Sequence, residues 1–214
     1  MSDQQIEYLN DVIRGRSSVR SFRSDPIDIA VVERAIEAAG WAPSPHGTQP
    51  WRFVILDDPL GRQRLSAAMA DEWRRQLRAD SLDEAEIERR LANSRERIER
   101  PPVVVIACLY LGDAHVYPDP ERQRAEYLMA VQSLGAASQN FLLSIHAQGL
   151  ASGWMCAPLF CPDVIREALG LSSDLEPQAM FPVGHMDKPP RRRDRRQPES
   201  LIVRVTAPST FSSD

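Results

Sequence analysis

Two arginines and two serines stand close together near the start of the chain and form its strongest candidate for ligand binding. The segment reads Arg16-Ser17-Ser18-Val19-Arg20, so two guanidinium groups and two hydroxyls fall within the length of one or two helical turns. Arginine binds phosphate oxygens through paired N–H groups, and hydroxyls bond the acceptors that remain. The segment therefore predicts a site for a phosphate with a polyol tail. Taken alone, arginines beside serines are more often a solvated helix end.

A polar, proline-rich loop at residues 42–51 follows one predicted helix later. Its prolines fix the backbone angle φ, and Gly47 allows a flat ligand to approach the backbone closely. A Pro-Ser-Pro stretch alone is commonly just a turn. The order of basic cluster, helix, loop and strand favours a functional interpretation. Together the two segments predict the two halves of a site for a flat, phosphorylated ligand.

The composition of the chain limits its class. Its 214 residues suffice for one hydrophobic core, so we predict a single domain over residues 1–214. The net charge of −4 disfavours nucleic acid as the main partner, since only one tail segment is basic. No stretch approaches the run of about 20 apolar residues that spans a bilayer. The first residues lack the apolar region of a signal peptide, so we expect a cytoplasmic protein without membrane contact.

The chain shows no pattern for a metal, a disulfide or a nucleotide-binding loop. Its three cysteines, Cys108, Cys156 and Cys161, are odd in number and lack paired spacing, which disfavours disulfides and zinc. Cys108 lies in an apolar run, and we interpret it as a small buried hydrophobe. Neither a P-loop nor a GxGxxG motif is present, so the common dinucleotide and nucleoside-triphosphate folds are disfavoured. No metal site is predicted.

Hydrophobic periodicity and capping signals predict helices that flank one sheet, an α+β fold. Asp28 is expected to cap the second helix, with Gly40 just past its end. The apolar run at 103–109 is typical of a buried central strand. The predicted helices cover residues 6–13, 31–39, most of 62–100, 127–148 and 163–169. The predicted strands cover residues 53–56, 103–109, 151–155, 178–184 and 201–205.

Two features favour a homodimer. The helix at 127–148 is apolar on several faces, which is typical of helices buried in a core or in a subunit interface. The strand predicted at 201–205 has no obvious partner strand within the chain.

The strongly charged segment 62–100 is interpreted as the solvated exterior of the fold.

The order of the arginine–serine segment, a helix, the proline-rich loop and a strand resembles the nitroreductase superfamily, whose members bind FMN between two subunits. The resemblance implies a nitroreductase-like fold, with a central, mainly antiparallel sheet flanked by helices in an intertwined homodimer. It also implies an FMN-dependent oxidoreductase. Hydride would pass through flavin N5 from a reduced donor, such as NAD(P)H, to a small organic acceptor: a nitroaromatic, a quinone or a precursor of coenzyme F420. Segment 62–100 can form a lid over the flavin in this family.

One subgroup fits nearly end to end. Segments 67–73, 87–90 and 112–119 resemble the FMN-binding C-terminal domain of the bifunctional coenzyme F420 γ-glutamyl ligase, over roughly residues 10–205. The ligase's amino-terminal half is not in this sequence, so we expect no glutamate ligation by this chain alone. The alternative function is a module that binds FMN or F420 without turnover and assists F420 maturation by a γ-glutamyl ligase. A third alternative is a structural relative that binds no flavin.

The phosphate and ribityl contacts implied by the resemblance are basic or hydroxyl-bearing. Arginines of the first segment bind the phosphate, Ser18 binds the phosphate or the ribityl chain, and Ser17 is a secondary candidate. A basic pair before the last strand closes over the phosphate. The implied residues are Arg16, Ser17, Ser18, Arg20, Arg193 and Arg195.

The ring contacts implied by the resemblance come from two places. The proline-rich loop of the partner subunit contributes Pro43, Ser44, Pro45 and Gln49. The turn of Ala157, Pro158 and Leu159 lies against the ring. Because Pro158 has no N–H, the backbone of Leu159 or its neighbour is the expected donor to flavin N5. Hydride transfer requires no catalytic side chain.

Four histidines remain to be interpreted. A lone histidine is more often structural than catalytic, and this interpretation is given to His146 and His185. His46 lies beside Gly47, where many nitroreductases have an asparagine, and it is a candidate replacement for that flavin contact. His46 and His115, the latter within segment 112–119, are the substrate-side candidates.

Overall fold

A computed structural model of the protein describes residues 2–205. The helices in this range are α1 Asp3–Gly15, α2 Ile29–Gly40, α3 Pro59–Ala79, α4 Glu84–Glu99, α5 Pro120–Ala147 and α6 Pro162–Leu169. The strands are β1 Trp51–Leu56, β2 Val103–Tyr110, β3 Ala151–Ser152 and β4 Leu175–Gly184. They form a four-stranded sheet in the order β1-β2-β4-β3. All neighbouring pairs are antiparallel, which confirms the predicted α+β fold.

Strand β2 lies inside the sheet and contributes to a hydrophobic core on each face. Successive residues of a strand face opposite sides. Val105 therefore packs in a core with Phe141 of α5, whereas Ile106 packs in another with Leu65 of α3. Every residue from 103 to 109 is buried, which explains the continuous apolar run. Burial raises the pKa of the Cys108 thiol to about 12, in keeping with a small buried hydrophobe.

Four of the helices begin at an aspartate whose carboxylate accepts from a backbone N–H of the first turn, the usual N-cap arrangement. These caps are Asp28, Asp58, Asp83 and Asp119. Asp28 is thus the cap that was predicted, although Gly40 is the last residue of α2 and does not lie beyond it. Helix α5 begins earlier than predicted because Asp119 and Pro120 supply its cap and first position.

After α1, residues 16–21 form no helix and carry only an isolated bridge at Ser18, which corrects the helical spacing expected for the arginine–serine segment. Ser18 forms a β-bridge with Ser152, and the N–H of Val19 donates to the carbonyl oxygen of Ser152. Val19 and Phe22 are buried against the sheet, so tertiary packing decides the local conformation. Gly153 permits this approach, because a Cβ there would collide with the carbonyl oxygen of Val19.

Residues 201–205 form no strand in the described protomer, contrary to the prediction. Leu201 ends the short 3₁₀ helix Pro198–Leu201, residues 202–205 follow it, and the side chains of all five residues are exposed. A strand needs a hydrogen-bonded neighbour, and residues 2–205 of one protomer offer none at this position. Strand β3 is also shorter than predicted, and beyond it Met155 makes only an isolated bridge to Met180.

Helices α3 and α4 form an outer layer over one side of the fold. Leu77, Ile87 and Leu91 make a small core of their own between the two helices. Exposed ion pairs, such as the one between Arg78 and Glu84 at 2.7 Å, lie on the solvent side. This layer is thus a packed, charged exterior.

Candidate functional site

Two basic segments that are distant in sequence line one cavity of about 1320 Å³. One segment follows α1, and the other covers residues 188–195. We call this space the basic cavity. It brings together the residues expected at a phosphate and its polyol chain, which are Arg16, Ser17, Ser18, Arg20, Arg193 and Arg195.

Arg16 is the cation of the basic cavity with the most unfavourable surroundings. Its Nε is buried and has no hydrogen-bond partner among residues 2–205. Burial lowers the pKa of the guanidinium, and the nearby charge of Arg195 lowers it further. Desolvation and like-charge repulsion therefore both oppose the charged form, and a bound anion relieves both. The donors of this cavity fit a phosphate.

Arg192 holds the two basic segments together. Its guanidinium donates to the carbonyl oxygen of Gly15 at 2.8 Å and to that of Arg14 at 3.4 Å. Both carbonyls belong to the last turn of α1, where helical partners are missing. The ring of His146 lies so close to Gly15 that a Cβ there would collide with its Nε2. Burial, followed by the charges of Arg16 and Arg192, lowers the pKa of His146.

The proline-rich loop has a fixed and locally strained backbone. The N–H of Gln49 donates to Ser44 Oγ at 3.1 Å, and the Thr48 hydroxyl donates to the Pro45 carbonyl at 3.1 Å. His46 and Gln49 have φ values of 56° and 47°, a left-handed region that side chains other than glycine rarely adopt. Such strain persists only where the surroundings enforce it. None of the predicted loop contacts, Pro43, Ser44, Pro45 and Gln49, lines the basic cavity of its own protomer.

The two histidines predicted on the substrate side lie together. The rings of His46 and His115 stack with their centroids 4.2 Å apart and an interplanar angle of 20°. His115 also lines a second cavity, of about 430 Å³, at the start of α5. The pair therefore joins the proline-rich loop to the loop at residues 111–119.

The turn expected against a flavin ring is a 3₁₀ helix, Ala157–Phe160. The N–H of Leu159 donates to the carbonyl oxygen of Cys156 at 3.1 Å, so this hydrogen is already engaged. Pro158 is buried, whereas Leu159 and Phe160 are exposed. Ala157, Pro158 and Leu159 all lie outside the lining of the basic cavity. A neighbour of Leu159 is therefore the expected backbone donor to a ligand at this turn.

The sequence matches the model of the Nitroreductase family over residues 13–185. The chain belongs to the nitroreductase family. YfhC of Bacillus subtilis, named as an NAD(P)H nitroreductase, is 26% identical over 193 residues, which cover 89% of this chain and 91% of that protein. The 5,6-dimethylbenzimidazole synthase of Rhodospirillum rubrum is 31% identical over 177 residues, which cover 78% of this chain and 76% of that protein.

A solved structure shows the same nitroreductase fold. The FMN-dependent nitroreductase NfnB of Mycobacterium smegmatis, in complex with NADPH, matches with a TM-score of 0.70 and 20% identity. The match covers 94% of this chain and 99% of that one. The predicted nitroreductase-like fold is therefore confirmed.

This nitroreductase chain carries its candidate residues in three places: the basic cavity, the proline-rich loop with His115, and the turn Ala157–Phe160. The phosphate-side residues meet within one protomer, and the ring-side residues lie elsewhere. Sequence reasoning missed Arg192. The run of arginines at 191–196 signalled a basic segment, but only the folded chain shows which guanidinium reaches the end of α1.

Proposed function

We propose that the protein is an FMN-dependent oxidoreductase that moves hydride from NAD(P)H, or a similar donor, to a small organic acceptor. Members of the nitroreductase family bind FMN, and the structurally similar NfnB is FMN-dependent by name. The observation that carries the proposal is the buried Nε of Arg16, which finds no partner in the described part of the chain and lies in a cavity lined by hydroxyls and further arginines. A phosphate monoester supplies both the acceptor oxygens and the negative charge that this group lacks.

The residues of the basic cavity hold and orient the cofactor. The phosphate is assigned to Arg16, Arg20, Arg193 and Arg195. Ser17 and Ser18 donate to phosphate or ribityl oxygens, while Arg192 keeps the second basic segment across the end of α1. Bound FMN supplies the hydride chemistry, and the protein supplies binding, orientation and electrostatics. No side chain is assigned as a nucleophile or a proton donor.

A homodimer completes this site. The proline-rich loop lies outside the basic cavity of its own protomer, so we assign its contacts to the FMN of the partner subunit. Helix α1 buries none of its residues, and apolar side chains are exposed along it and along the last described residues. Such exposed apolar surface is typical of subunit interfaces. It includes Ile6, Tyr8, Leu9, Ile13, Leu201, Ile202, Val203 and Val205.

The acceptor is proposed to be a nitroaromatic, a quinone or a precursor of coenzyme F420. The second candidate function is a module that binds FMN or F420 without turnover and assists a γ-glutamyl ligase. One observation favours this second candidate, in which the chain serves a particular ligand. Residues 114–116, within the segment that resembles the F420 ligase domain, line the second cavity.

Absorbance and turnover test the proposal. The purified protein should be yellow, elute as a dimer and release FMN on denaturation. Colourless protein that binds no added FMN contradicts the proposal and supports the flavin-free alternative. Steady oxidation of NAD(P)H with an added nitroaromatic, quinone or F420 precursor supports the oxidoreductase. Bound FMN without turnover of any of the three supports the module.

A further inference from the structure

The second cavity lies where the loop at residues 111–119 meets the first turns of α5. Its volume of about 430 Å³ falls in the range of small-molecule sites. Leu111, Val116, Pro120 and the ring of Tyr127 form an apolar lining. These surfaces suit a flat aromatic molecule.

One carboxyl group on this cavity lacks a partner. Glu126 lines the cavity, and only 4% of its surface is exposed. Its Oε1 accepts from the N–H of His115 at 3.2 Å, whereas its Oε2 is buried with no hydrogen-bond partner among residues 2–205. Buried polar atoms are nearly always hydrogen-bonded in proteins. The free oxygen therefore marks the position of a missing donor.

The neighbouring side chains do not supply that donor. The Tyr127 hydroxyl donates to Glu176 Oε1 at 2.6 Å. Arg124 lines the same cavity but makes no bond to the free oxygen of Glu126. Gln123 is engaged through its carbonyl oxygen, which accepts from a backbone N–H at 2.9 Å. The amide nitrogen of Gln123 makes no bond to this oxygen either. A ligand that enters the cavity can supply the O–H or N–H group.

The cavity is also in contact with the proline-rich loop, through the stacked rings of His46 and His115. We propose that this cavity binds the electron acceptor as a flat aromatic molecule whose O–H or N–H group donates to Glu126 Oε2. The inference rests on the proposed function, in which the proline-rich loop lies against the FMN of the partner subunit. Glu126 is then a specificity residue, and the protein prefers hydroxyl- or amine-bearing aromatics over analogues without a donor.

Two matched probes test this preference: 4-nitrobenzyl alcohol, which carries an O–H donor, and 4-nitrobenzyl methyl ether, which carries none. In both probes a methylene group separates the oxygen from the ring, so the nitro groups are electronically similar. The variants are Glu126→Gln, which can still accept from the His115 N–H but places an amide donor at the second position, and Glu126→Leu. Glu121→Gln, an exposed change on the same helix, is the control.

The wild type and Glu121→Gln should bind the alcohol about tenfold more tightly than the ether, in KM and in a dissociation constant from ligand-observed NMR. Both Glu126 variants should lose this preference, while their FMN affinity and their rate of flavin reduction by NADPH stay at the wild-type level. Melting temperatures check that both variants fold. If Glu126→Leu does not fold, the result for Glu126→Gln decides the test.

Equal binding of the two probes by the wild type, or an unchanged preference in Glu126→Gln, overturns the inference while leaving the proposed function intact. If titration shows no FMN binding, the proposed function fails, and the assignment of this cavity to an electron acceptor fails with it. The NMR comparison then still reports whether Glu126 selects a donor-bearing ligand.

Discussion

Replacing Arg16 by alanine separates cofactor binding from stability of the fold. Its Nε is buried and has no partner among residues 2–205, and burial and the charge of Arg195 both lower its pKa. The free protein therefore gains no electrostatic stabilisation from this cation. A phosphate turns the same group into a charge-assisted donor, which contributes about 1.5–3 kcal/mol. Arg16→Ala should weaken FMN binding by roughly ten- to a hundredfold.

The assay combines the FMN dissociation constant, from quenching of flavin fluorescence, with the melting temperature of FMN-free protein. Arg16→Ala should raise the dissociation constant but leave the melting temperature unchanged or higher, because a repulsion with Arg195 is removed. Added salt should narrow the difference between wild type and variant. Arg64→Ala, on the exposed side of α3, should change neither quantity. An unchanged dissociation constant, or a lower melting temperature of the free variant, refutes the reasoning.

Two residues behind the basic cavity, and the subunit interface, give further tests. Gly153→Ala places a Cβ against the carbonyl oxygen of Val19, so we expect the free energy of unfolding in urea to fall by about 1–3 kcal/mol and FMN to bind more weakly. Gly135→Ala, with open space around its Cβ, should lack both effects. The pKa of His146 lies below its ordinary value, so the unfolded chain takes up a proton first as the pH falls below about 6.5. The free energy of unfolding that is present above this pH is then lost as the pH falls through the folded-state pKa. In urea titrations at several pH values, His146→Gln should reduce this loss of unfolding free energy. The control His185→Gln should show the same loss as the wild type. If the partner subunit supplies the proline-rich loop, FMN affinity should fall when the protein is diluted below the dimer dissociation constant. A species that elutes as a monomer in gel filtration and still binds FMN at full affinity would argue against a shared site.

Local signals in the sequence predicted most of the helices and strands. The Asp28 cap and the apolar run at 103–109 depend on residues within a few positions, so the sequence alone suffices to place them. The α+β class followed from the same signals. The grouping of Arg193 and Arg195 with Arg16 came from family resemblance and not from their spacing, since no local rule joins segments so far apart.

The remaining features depend on contacts that a sequence pattern does not contain. The non-helical conformation of residues 16–21 is set by packing against β3 and the residue after it, where Gly153 leaves room for Val19. The burial of Glu126 depends on the loop at 111–119 folding back over α5. The single domain over residues 1–214 and the cytoplasmic location stay predictions. Within residues 2–205, no helix has both the length and the apolar character to cross a membrane.

The length of α5 bears on how the two cavities cooperate. His146 packs behind the basic cavity from the last turn of this helix, whereas Glu126 lines the second cavity from its second turn. Twenty residues separate them, and a rise of 1.5 Å per residue places them about 30 Å apart along the helix axis. The two cavities also share no lining residue. In the proposed function, an FMN held in the basic cavity is therefore not expected to reach the second cavity of the same chain.

The acceptor cavity of one subunit must therefore serve the FMN held by the other, if both proposals hold. A mixed dimer of Arg16→Ala and Glu126→Gln subunits then contains one site with both defects and one site with neither. With the donor-bearing probe and limiting FMN, such mixed dimers should recover about half of the wild-type activity per dimer, above either parent homodimer. Subunits carrying both changes, mixed with wild type, place one defect in each site and should show no such recovery. The reverse pattern, in which only the mixture of wild type with the doubly changed subunit recovers activity, would mean that each subunit builds its site alone, and the shared geometry would have to be abandoned.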